Sequence, residues 1–329
     1  MPTRATTEQL ARWLLARDDI ALLGHVNPDG DAVGACLGLW HALRDLGKRA
    51  VVCLPDGMPG LYAGLPGADA VVATGEALPF VPRAALSVDV SDMGRLGEAG
   101  RALFEGCPER AALDHHGTNP GMGQLMLLDG DAAASGELAV WLIEALGARM
   151  TREMAECLFV AISTDCGQFS YSNTRPETFE AAARCVAAGI DVARITRWLY
   201  RTRTYGRTKL LGLALAGLEI SADGRLAWAR VTEDMLDEAR ADREDKEGIV
   251  NYLAEISGVE LAVLAEQRGE TTKFSLRSVA PVNVARDVAV PLGGGGHCCA
   301  AGVIVDLPVE PALEKVLALA RRALSGGDT

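Results

Sequence analysis

Four of the five histidines lie in three short segments that are rich in aspartate and glycine: His25 in GHVNPDGDAVG, His115 and His116 in LDHHGTN, and His297 in LGGGGHCCAAG. The fifth, His41, lies in an ordinary amphipathic stretch. Imidazole is the commonest metal ligand in proteins and the usual proton carrier near neutral pH. We therefore expect metal and phosphate chemistry in these segments.

The first segment places two carboxylates close behind a histidine. Asp29 and Asp31 follow His25 in a turn that Pro28 and Gly30 favour, and their spacing lets them face two neighbouring cations. Carboxylate oxygens combined with an imidazole suit manganese or iron better than calcium, which takes oxygen ligands. Helix capping is the alternative for one aspartate, but it leaves the other aspartate and the histidine unexplained.

Further candidate ligands come at the ends of other apolar runs. Asp89 ends one apolar run, Asp114 precedes the two adjacent histidines, and Asp165 comes where a buried helical run ends. A carboxylate at such a position needs a partner, which a cation would supply. Two adjacent histidines at a strand end cannot both face the same way, so we expect one to bind metal and the other to contact substrate.

A second kind of site is predicted near the carboxyl terminus. The glycines at 293–296 let the backbone approach a ligand and present its N–H groups to an anion. Arg277, in the segment FSLRS, can bind a phosphate through two parallel hydrogen bonds. A flexible loop is the alternative interpretation of the glycine run.

The elements that must position these residues alternate between strands and helices. Five apolar runs predict buried strands at residues 20–25, 50–54, 68–74, 84–90 and 110–116. Helical spacing follows at 31–47, 132–147, 151–165 and 176–188. This alternation predicts an α/β domain over residues 1–195, with a parallel sheet covered by helices on both faces. Ligands then bind where the carboxyl ends of strands meet. We predict a helical linker at residues 196–215 and a smaller α+β domain at residues 216–329.

The amino-acid composition and net charge restrict the kinds of molecule that this protein can bind. With 32 basic and 44 acidic residues the net charge is −12, which disfavours long duplex nucleic acid and favours small phosphorylated substrates. The eight cysteines form no CxxC pair, so neither a zinc knuckle nor a disulfide framework is predicted. The sequence shows no secretory pattern and no apolar run long enough for a membrane span, so we expect a cytoplasmic protein without membrane contact.

Six motifs in order along nearly the whole chain resemble the DHH phosphoesterases that carry a DHH-associated second domain, in the branch of the bacterial nanoRNase/pAp phosphatases. The motifs are GHVNPDGDAVG, DVSDMGRLG, DHHGTN, TDCGQFSYSNT, FSLRS and GGGGHCCAAG. The resemblance implies two divalent cations, usually manganese, and a homodimer.

The resemblance also implies a role for each matching residue. One cation would be held by His25, Asp29 and Asp89, and the second by Asp31, Asp89, His115 and Asp165. Asp114 would orient the imidazoles, and together with Asp89 and His116 it would make up the catalytic set. The substrate would be bound by His116, Arg277, Ser278, Gly294, Gly295, Gly296 and His297.

The activity implied is hydrolysis of short oligoribonucleotides to 5′-mononucleotides and of pAp to AMP. Hydrolysis of linear or cyclic dinucleotides is a close alternative. A pyrophosphatase would share the first domain, but FSLRS and GGGGH suit nucleotide recognition instead. A non-catalytic nucleotide-binding module would be expected to have lost ligands, whereas all of those implied are present.

Overall fold

The structure, a computed structural model, describes residues 3–279 and 281–326, with the backbone alone for His297. The chain divides into two compact units between Arg201 and Thr202. Among the described residues, no helix has the length and apolar character needed to cross a membrane.

The first unit is built on a parallel sheet of seven strands within the described residues, in the order β1-β7-β6-β5-β2-β3-β4. The strands are β1 (Thr3–Arg4), β2 (Ile20–Leu23), β3 (Ala50–Leu54), β4 (Val71–Ala73), β5 (Ala84–Val88), β6 (Glu109–Asp114) and β7 (Leu125–Leu128). The helices are α1 (Thr7–Leu15), α2 (Gly30–Asp45), α3 (Gly97–Gly106), α4 (Ser135–Ala145), α5 (Arg152–Asp165), α6 (Pro176–Ala187) and α7 (Val192–Thr196).

Helices cover both faces of this sheet, as the continuous apolar strands predicted. Along β2, Ile20 and Leu22 pack into a core with α1, α2, α4 and α5, whereas Ala21 and Leu23 pack into a second core with α3. A strand buried on both faces needs apolar side chains at every position, because successive residues point to opposite sides. The predicted α/β class of this unit is confirmed.

Two strands of the sheet were not predicted. β7 is a run of four apolar residues, and β1 has only two residues, which pair with Leu125 and Met126 of β7. Both lie at one edge of the sheet, where a short strand gains its stability from its neighbour and carries little periodic signal of its own.

The second unit is an α+β domain, as predicted. Its mixed sheet has six strands in the described residues, in the order β12-β13-β11-β10-β9-β8. The elements are α8 (Tyr205–Ala216), β8 (Glu219–Ile220), β9 (Leu226–Val231), α9 (Glu233–Ala239), α10 (Ile249–Ala254), β10 (Leu261–Arg268), β11 (Thr271–Ser278), β12 (Gly295–His297), β13 (Ala300–Val305) and α11 (Val309–Leu324).

The segment predicted as a linker contains helix α8. Leu210 and Ala214 of this helix are fully buried in a core shared with β9 and α10. α8 therefore packs as part of the second unit, and the chain changes units before this helix begins.

Candidate metal centre

The predicted ligands of the first unit converge at the carboxyl ends of three adjacent strands. β6, β5 and β2 are neighbours in the sheet, and they lead directly into the DHH segment, Asp89 and His25 respectively. Asp89 adopts a left-handed backbone conformation, with φ 62°, while its N–H donates to the carbonyl of Leu113. This conformation costs a non-glycine residue about 1–3 kcal/mol and is typical of functional sites.

Asp89 lies between two histidines. One carboxylate oxygen, Oδ2, is 3.5 Å from Nε2 of His25, and the other, Oδ1, is 3.5 Å from Nε2 of His115. Asp89 is almost completely buried, and the hydroxyl of Ser135 donates to Oδ1 at 3.0 Å. A carboxylate in this position can bridge two cations, each of which would also contact one imidazole.

The first candidate cation site contains His25, Asp29 and Asp89. Nε2 of His25 is 3.6 Å from Oδ2 of Asp29, and donor atoms of the three residues lie within 4.8 Å of one another. Asp29 also caps α2, since its Oδ1 accepts the backbone N–H groups of Asp31 and Ala32. Capping therefore uses one oxygen of Asp29 and leaves the other facing the imidazole.

The second candidate cation site contains Asp31, His115 and Asp165. Nε2 of His115 lies 3.8 Å from Asp31 and 3.4 Å from Asp165, besides its contact with Asp89. Nδ1 of His115 is 3.1 Å from the carbonyl oxygen of Ala132, so a hydrogen bond to the backbone directs Nε2 toward the carboxylates. Asp31 lies in the first turn of α2, and Asp165 is the last residue of α5. These two helices pack against each other.

Asp31 is completely buried, and its carboxylate is aimed at the start of α4. Its oxygens accept the backbone N–H groups of Ser135 at 2.6 Å and Gly136 at 2.8 Å. Burial, together with the charges of Asp89 and Asp165, nevertheless raises the pKa of Asp31 well above its usual value. Two N–H groups do not balance this crowding of carboxylates, so added positive charge would stabilise the cluster.

The pKa values of two other residues reflect the same crowding. Burial opposes the charged form of His25, but hydrogen bonds to Asp29 and Asp89 raise its pKa to about 10. Burial, assisted by the charge of Asp89, raises the pKa of Asp165 to about 6. The donor set of imidazole nitrogens and carboxylate oxygens fits divalent transition metals.

His116 differs from His115 in exposure and in partners. Its side chain is 42% exposed, against 13% for His115, and its Nδ1 lies 2.8 Å from Oδ1 of Asp114. This hydrogen bond raises the pKa of His116. The structure thus pairs Asp114 with His116, whereas the backbone of Ala132 holds His115.

Sequence reasoning did not identify Asn119 and Arg95 as parts of this site. Asn119 donates from Nδ2 to Oδ2 of Asp114 at 2.7 Å and to the carbonyl of Val90 at 2.9 Å. Asn119 is the last residue of the DHHGTN motif, and its place in that motif is the only feature of the sequence that indicates a role in the site.

Arg95 places a guanidinium beside the first candidate cation site. Its Nη2 is 2.9 Å from Nδ1 of His25, which itself lies 2.8 Å from the carbonyl oxygen of Val26. When Nδ1 carries its proton and donates to Val26, it cannot also accept a hydrogen bond from Arg95. In that state Nδ1 is not an acceptor for the guanidinium of Arg95.

The predicted substrate residues of the second unit lie on neighbouring strands. Arg277 in β11 is paired with Ala300 in β13, which is paired in turn with the backbone of His297 in β12. Ser278 donates from Oγ to the carbonyl of Val282 at 2.8 Å, and Arg277 donates from Nη1 to the carbonyl of Leu276 at 3.0 Å. The predicted role of the His297 side chain falls outside the part of the chain that the structure describes.

The glycine run forms an edge strand and the turn before it. Gly293 and Gly296 have positive φ angles, and a Cβ at Gly296 would lie 2.4 Å from the carbonyl oxygen of Ala300. A Cβ at Gly294 would lie equally close to the carbonyl oxygen of Gly302, whereas Gly295 borders open space. Side chains are therefore excluded at two positions by the close approach of β13.

Known proteins match this chain over nearly its full length. The model of the DHH family N-terminal domain matches residues 19–162, and that of the DHHA1 domain matches residues 223–326. The chain is 35% identical to the bifunctional oligoribonuclease and PAP phosphatase NrnA of Thermus thermophilus, over 93% of this chain and 90% of that protein. It is 25% identical to the protein of the same name from Bacillus subtilis, over 90% and 92% of the two chains.

A solved structure has the same fold. An exopolyphosphatase-related protein from Bacteroides fragilis superposes with a TM-score of 0.87 at 26% identity, over 98% of both chains. Together with the match to the Thermus thermophilus protein, this establishes the family suggested by the six motifs. The chain belongs to the DHH family and carries a DHHA1 domain in its second unit.

Proposed function

We propose that this protein is a dinuclear-metal phosphoesterase that hydrolyses short oligoribonucleotides to 5′-mononucleotides and pAp to AMP. The observation that carries the proposal is the position of Asp89, whose two oxygens face His25 and His115 on opposite sides. The names of the relatives from Thermus thermophilus and Bacillus subtilis support the choice of substrates.

Two divalent cations, most simply manganese, would occupy the cluster. His25, Asp29 and Asp89 would hold one, and Asp31, Asp89, His115 and Asp165 would hold the other. The mixture of imidazole and carboxylate donors supports manganese over calcium or magnesium, which prefer oxygen ligands. When bound, such a pair of cations activates water and stabilises the charge that develops in a displacement at phosphorus.

His116 would supply the proton for the leaving oxygen. It is the more exposed of the adjacent histidines, and its hydrogen bond to Asp114 both orients the ring and raises its pKa, which favours the protonated form that can donate. A positioned acid of this kind typically contributes 10²–10⁴-fold to the rate, in order of magnitude. Asn119 would keep Asp114 in place.

Arg95 would bind a phosphate oxygen of the substrate. Its guanidinium is beside His25 but obtains no stable acceptor from that ring, while phosphate offers the acceptor geometry that arginine prefers. This contact would counter the negative charge of a carboxylate-rich site.

The second unit would recognise the nucleotide. Arg277 and Ser278 lie on one strand of its sheet, and the backbone of residues 294–297 lies at the edge of the same sheet. Backbone N–H groups and a guanidinium are both donors to phosphate and sugar oxygens. The charge of −12 supports short substrates over long duplexes. The family resemblance supports a homodimer, which sedimentation would test.

A substrate panel tests the proposal. Purified protein would be incubated with pAp, a short oligoribonucleotide, a linear and a cyclic dinucleotide, pyrophosphate and a long duplex, each with manganese and with a chelator. We expect manganese-dependent release of AMP from pAp and of 5′-mononucleotides from the oligoribonucleotide. Turnover of pyrophosphate alone, or of none of these compounds, would overturn the proposal. If the protein prefers a dinucleotide as substrate, it is instead a dinucleotide hydrolase.

A further inference from the structure

Two adjacent cysteines form the turn that follows the glycine run. Cys298 and Cys299 connect β12 to β13, both are exposed, and their Sγ atoms are 3.5 Å apart. Adjacent residues in a strand point to opposite faces, and the turn is what allows both thiols to lie together. The other cysteines are all buried: Cys36, Cys53, Cys107, Cys157, Cys166 and Cys185.

The backbone of this turn supports the strand that carries Arg277. The N–H of Ser278 donates to the carbonyl of Cys299 at 3.0 Å, and the N–H of Val284 donates to the carbonyl of Cys298 at 2.8 Å. Oγ of Ser278 also lies 3.4 Å from the carbonyl oxygen of Cys298. Both carbonyls of the cysteine pair therefore hold neighbouring segments in place.

We infer that Cys298 and Cys299 form a reversible dithiol–disulfide site, and that its oxidation weakens nucleotide binding by the second unit. The second half of this inference rests on the proposed function of Arg277 and Ser278. The chemical partner of the site is a two-electron oxidant of the hydroperoxide class, and the disulfide is returned to the dithiol by an external thiol.

The oxidation proceeds in two steps. A thiolate of the pair attacks one peroxide oxygen, the O–O bond breaks, and the leaving oxygen takes up a proton to form water or an alcohol, leaving a sulfenic acid. The neighbouring thiol then attacks that sulfur, the S–O bond breaks, and water leaves with the thiol proton. Two electrons pass from the pair of thiols to the peroxide.

Formation of the bond has a structural consequence. The Sγ atoms must move from 3.5 Å to about 2.0 Å apart. Because the residues are adjacent, the new ring includes the peptide between them. Closing it rotates the carbonyl of Cys298, which accepts from Val284, and shifts the backbone of Cys299, whose carbonyl accepts from Ser278. The strand end that carries Arg277 and Ser278 then loses part of its support.

Thiol counting and mass spectrometry test the first half of the inference. The native, reduced protein should expose two rapidly titrating thiols. After treatment with hydrogen peroxide and removal of the excess with catalase, the peptide containing both cysteines should lose two hydrogens and resist alkylation, and dithiothreitol should restore it. C298S and C299S should each fail to form the intramolecular bond. Overoxidised thiols or a disulfide between two chains in the wild-type protein would overturn the assignment.

Calorimetry with AMP tests the second half. Oxidation should weaken AMP binding about tenfold, which corresponds to the loss of one hydrogen bond to a charged group. The C298S/C299S double variant should bind AMP equally well before and after peroxide. Formation of the disulfide with unchanged AMP affinity would disprove the coupling. Failure of the proposed function would appear separately, as a reduced, manganese-loaded protein that does not hydrolyse pAp.

Discussion

The backbone N–H of Ser135 donates a 2.6 Å hydrogen bond to the carboxylate of Asp31, which lies 104 positions earlier in the chain. The same Ser135 donates through its hydroxyl to Asp89. The start of α4 thus orients two of the carboxylates proposed to hold cations. Its partial positive charge lowers the cost of burying them, but it does not neutralise them.

We expect Asp89→Asn to abolish metal-dependent turnover of pAp, with a loss of at least about a thousandfold, because both cations lose their shared charged ligand. The melting temperature of the metal-free variant should change little, since the variant loses a partner of protonated His25 but also one of several mutually repelling carboxylates. Turnover and metal-free thermal unfolding measure the two effects.

The matched control is D92N, because Asp92 lies on the same loop and caps the backbone N–H groups of Gly94 and Arg95. Equal losses in the two variants would contradict the bridging role of Asp89.

Manganese affinity should rise with pH. The pKa of His25 is about 10 in the metal-free protein, so at pH 7–8 its ring is protonated and must lose a proton before it can bind metal. If one proton is released, the dissociation constant falls about tenfold for each pH unit in this range. Asp165, with a pKa of about 6, adds a second proton only at lower pH.

Calorimetry at several pH values, in buffers of different ionisation enthalpy, measures both the affinity and the proton release. H41Q serves as the control, because His41 contacts the carbonyl of Pro66 and lies outside the cluster. A manganese affinity that does not change between pH 7 and 8 would contradict the assignment of His25 as a ligand.

Asn119→Ala should lower kcat about 10–100-fold and leave KM for pAp nearly unchanged, because Asp114 loses the donor that positions it beneath His116. A weaker contact with Asp114 also lowers the pKa of His116. The rate of a step that needs protonated His116 then declines at lower pH than in the wild-type protein. The pH–rate profile distinguishes this effect from a general loss of folded protein, and an unmoved alkaline limb would argue against His116 as the acid.

Arg95→Met should lower kcat/KM for pAp about 10–1000-fold, because a desolvated contact between arginine and phosphate is lost. Circular dichroism should show an unchanged fold. The corresponding change at Arg101, an exposed residue paired with Glu105, provides the control and should leave kcat/KM within about twofold of the wild-type value. Wild-type kinetics in the Arg95 variant would show that this guanidinium does not reach the substrate.

Arg277→Met should raise KM for pAp about tenfold or more, with a smaller change in kcat, since this residue is proposed to bind the nucleotide and not the reacting group. Arg286→Met is the control in the same unit, because Arg286 is exposed and paired with Asp287. Steady-state kinetics separate the two constants. A fall in kcat at constant KM would instead place Arg277 at the reacting phosphate.

Local patterns were sufficient to predict most elements of the first unit. Buried parallel strands require unbroken apolar runs, and the runs at 20–25, 50–54 and 84–90 end within two residues of the strands observed. His25, Asp89 and the histidines that end the run at 110–116 could be placed at one edge of the sheet, because parallel strands share the direction of their carboxyl ends. Strand β7, next to the edge of the sheet, has four residues, too few for its periodicity to be distinctive.

The residue types and spacing of the motifs were sufficient to predict the kind of chemistry and the candidate ligands, since hard oxygens and imidazoles suit few other uses in such clusters. Only the tertiary structure decided which oxygen of Asp89 faces which histidine, that Ser135 orients Asp31, and that Arg95 lies against His25. These contacts join residues from different strands and helices. They depend on the strand order β6-β5-β2 and on how α4 packs over the sheet. Neither of these produces a periodic pattern in the amino-acid sequence.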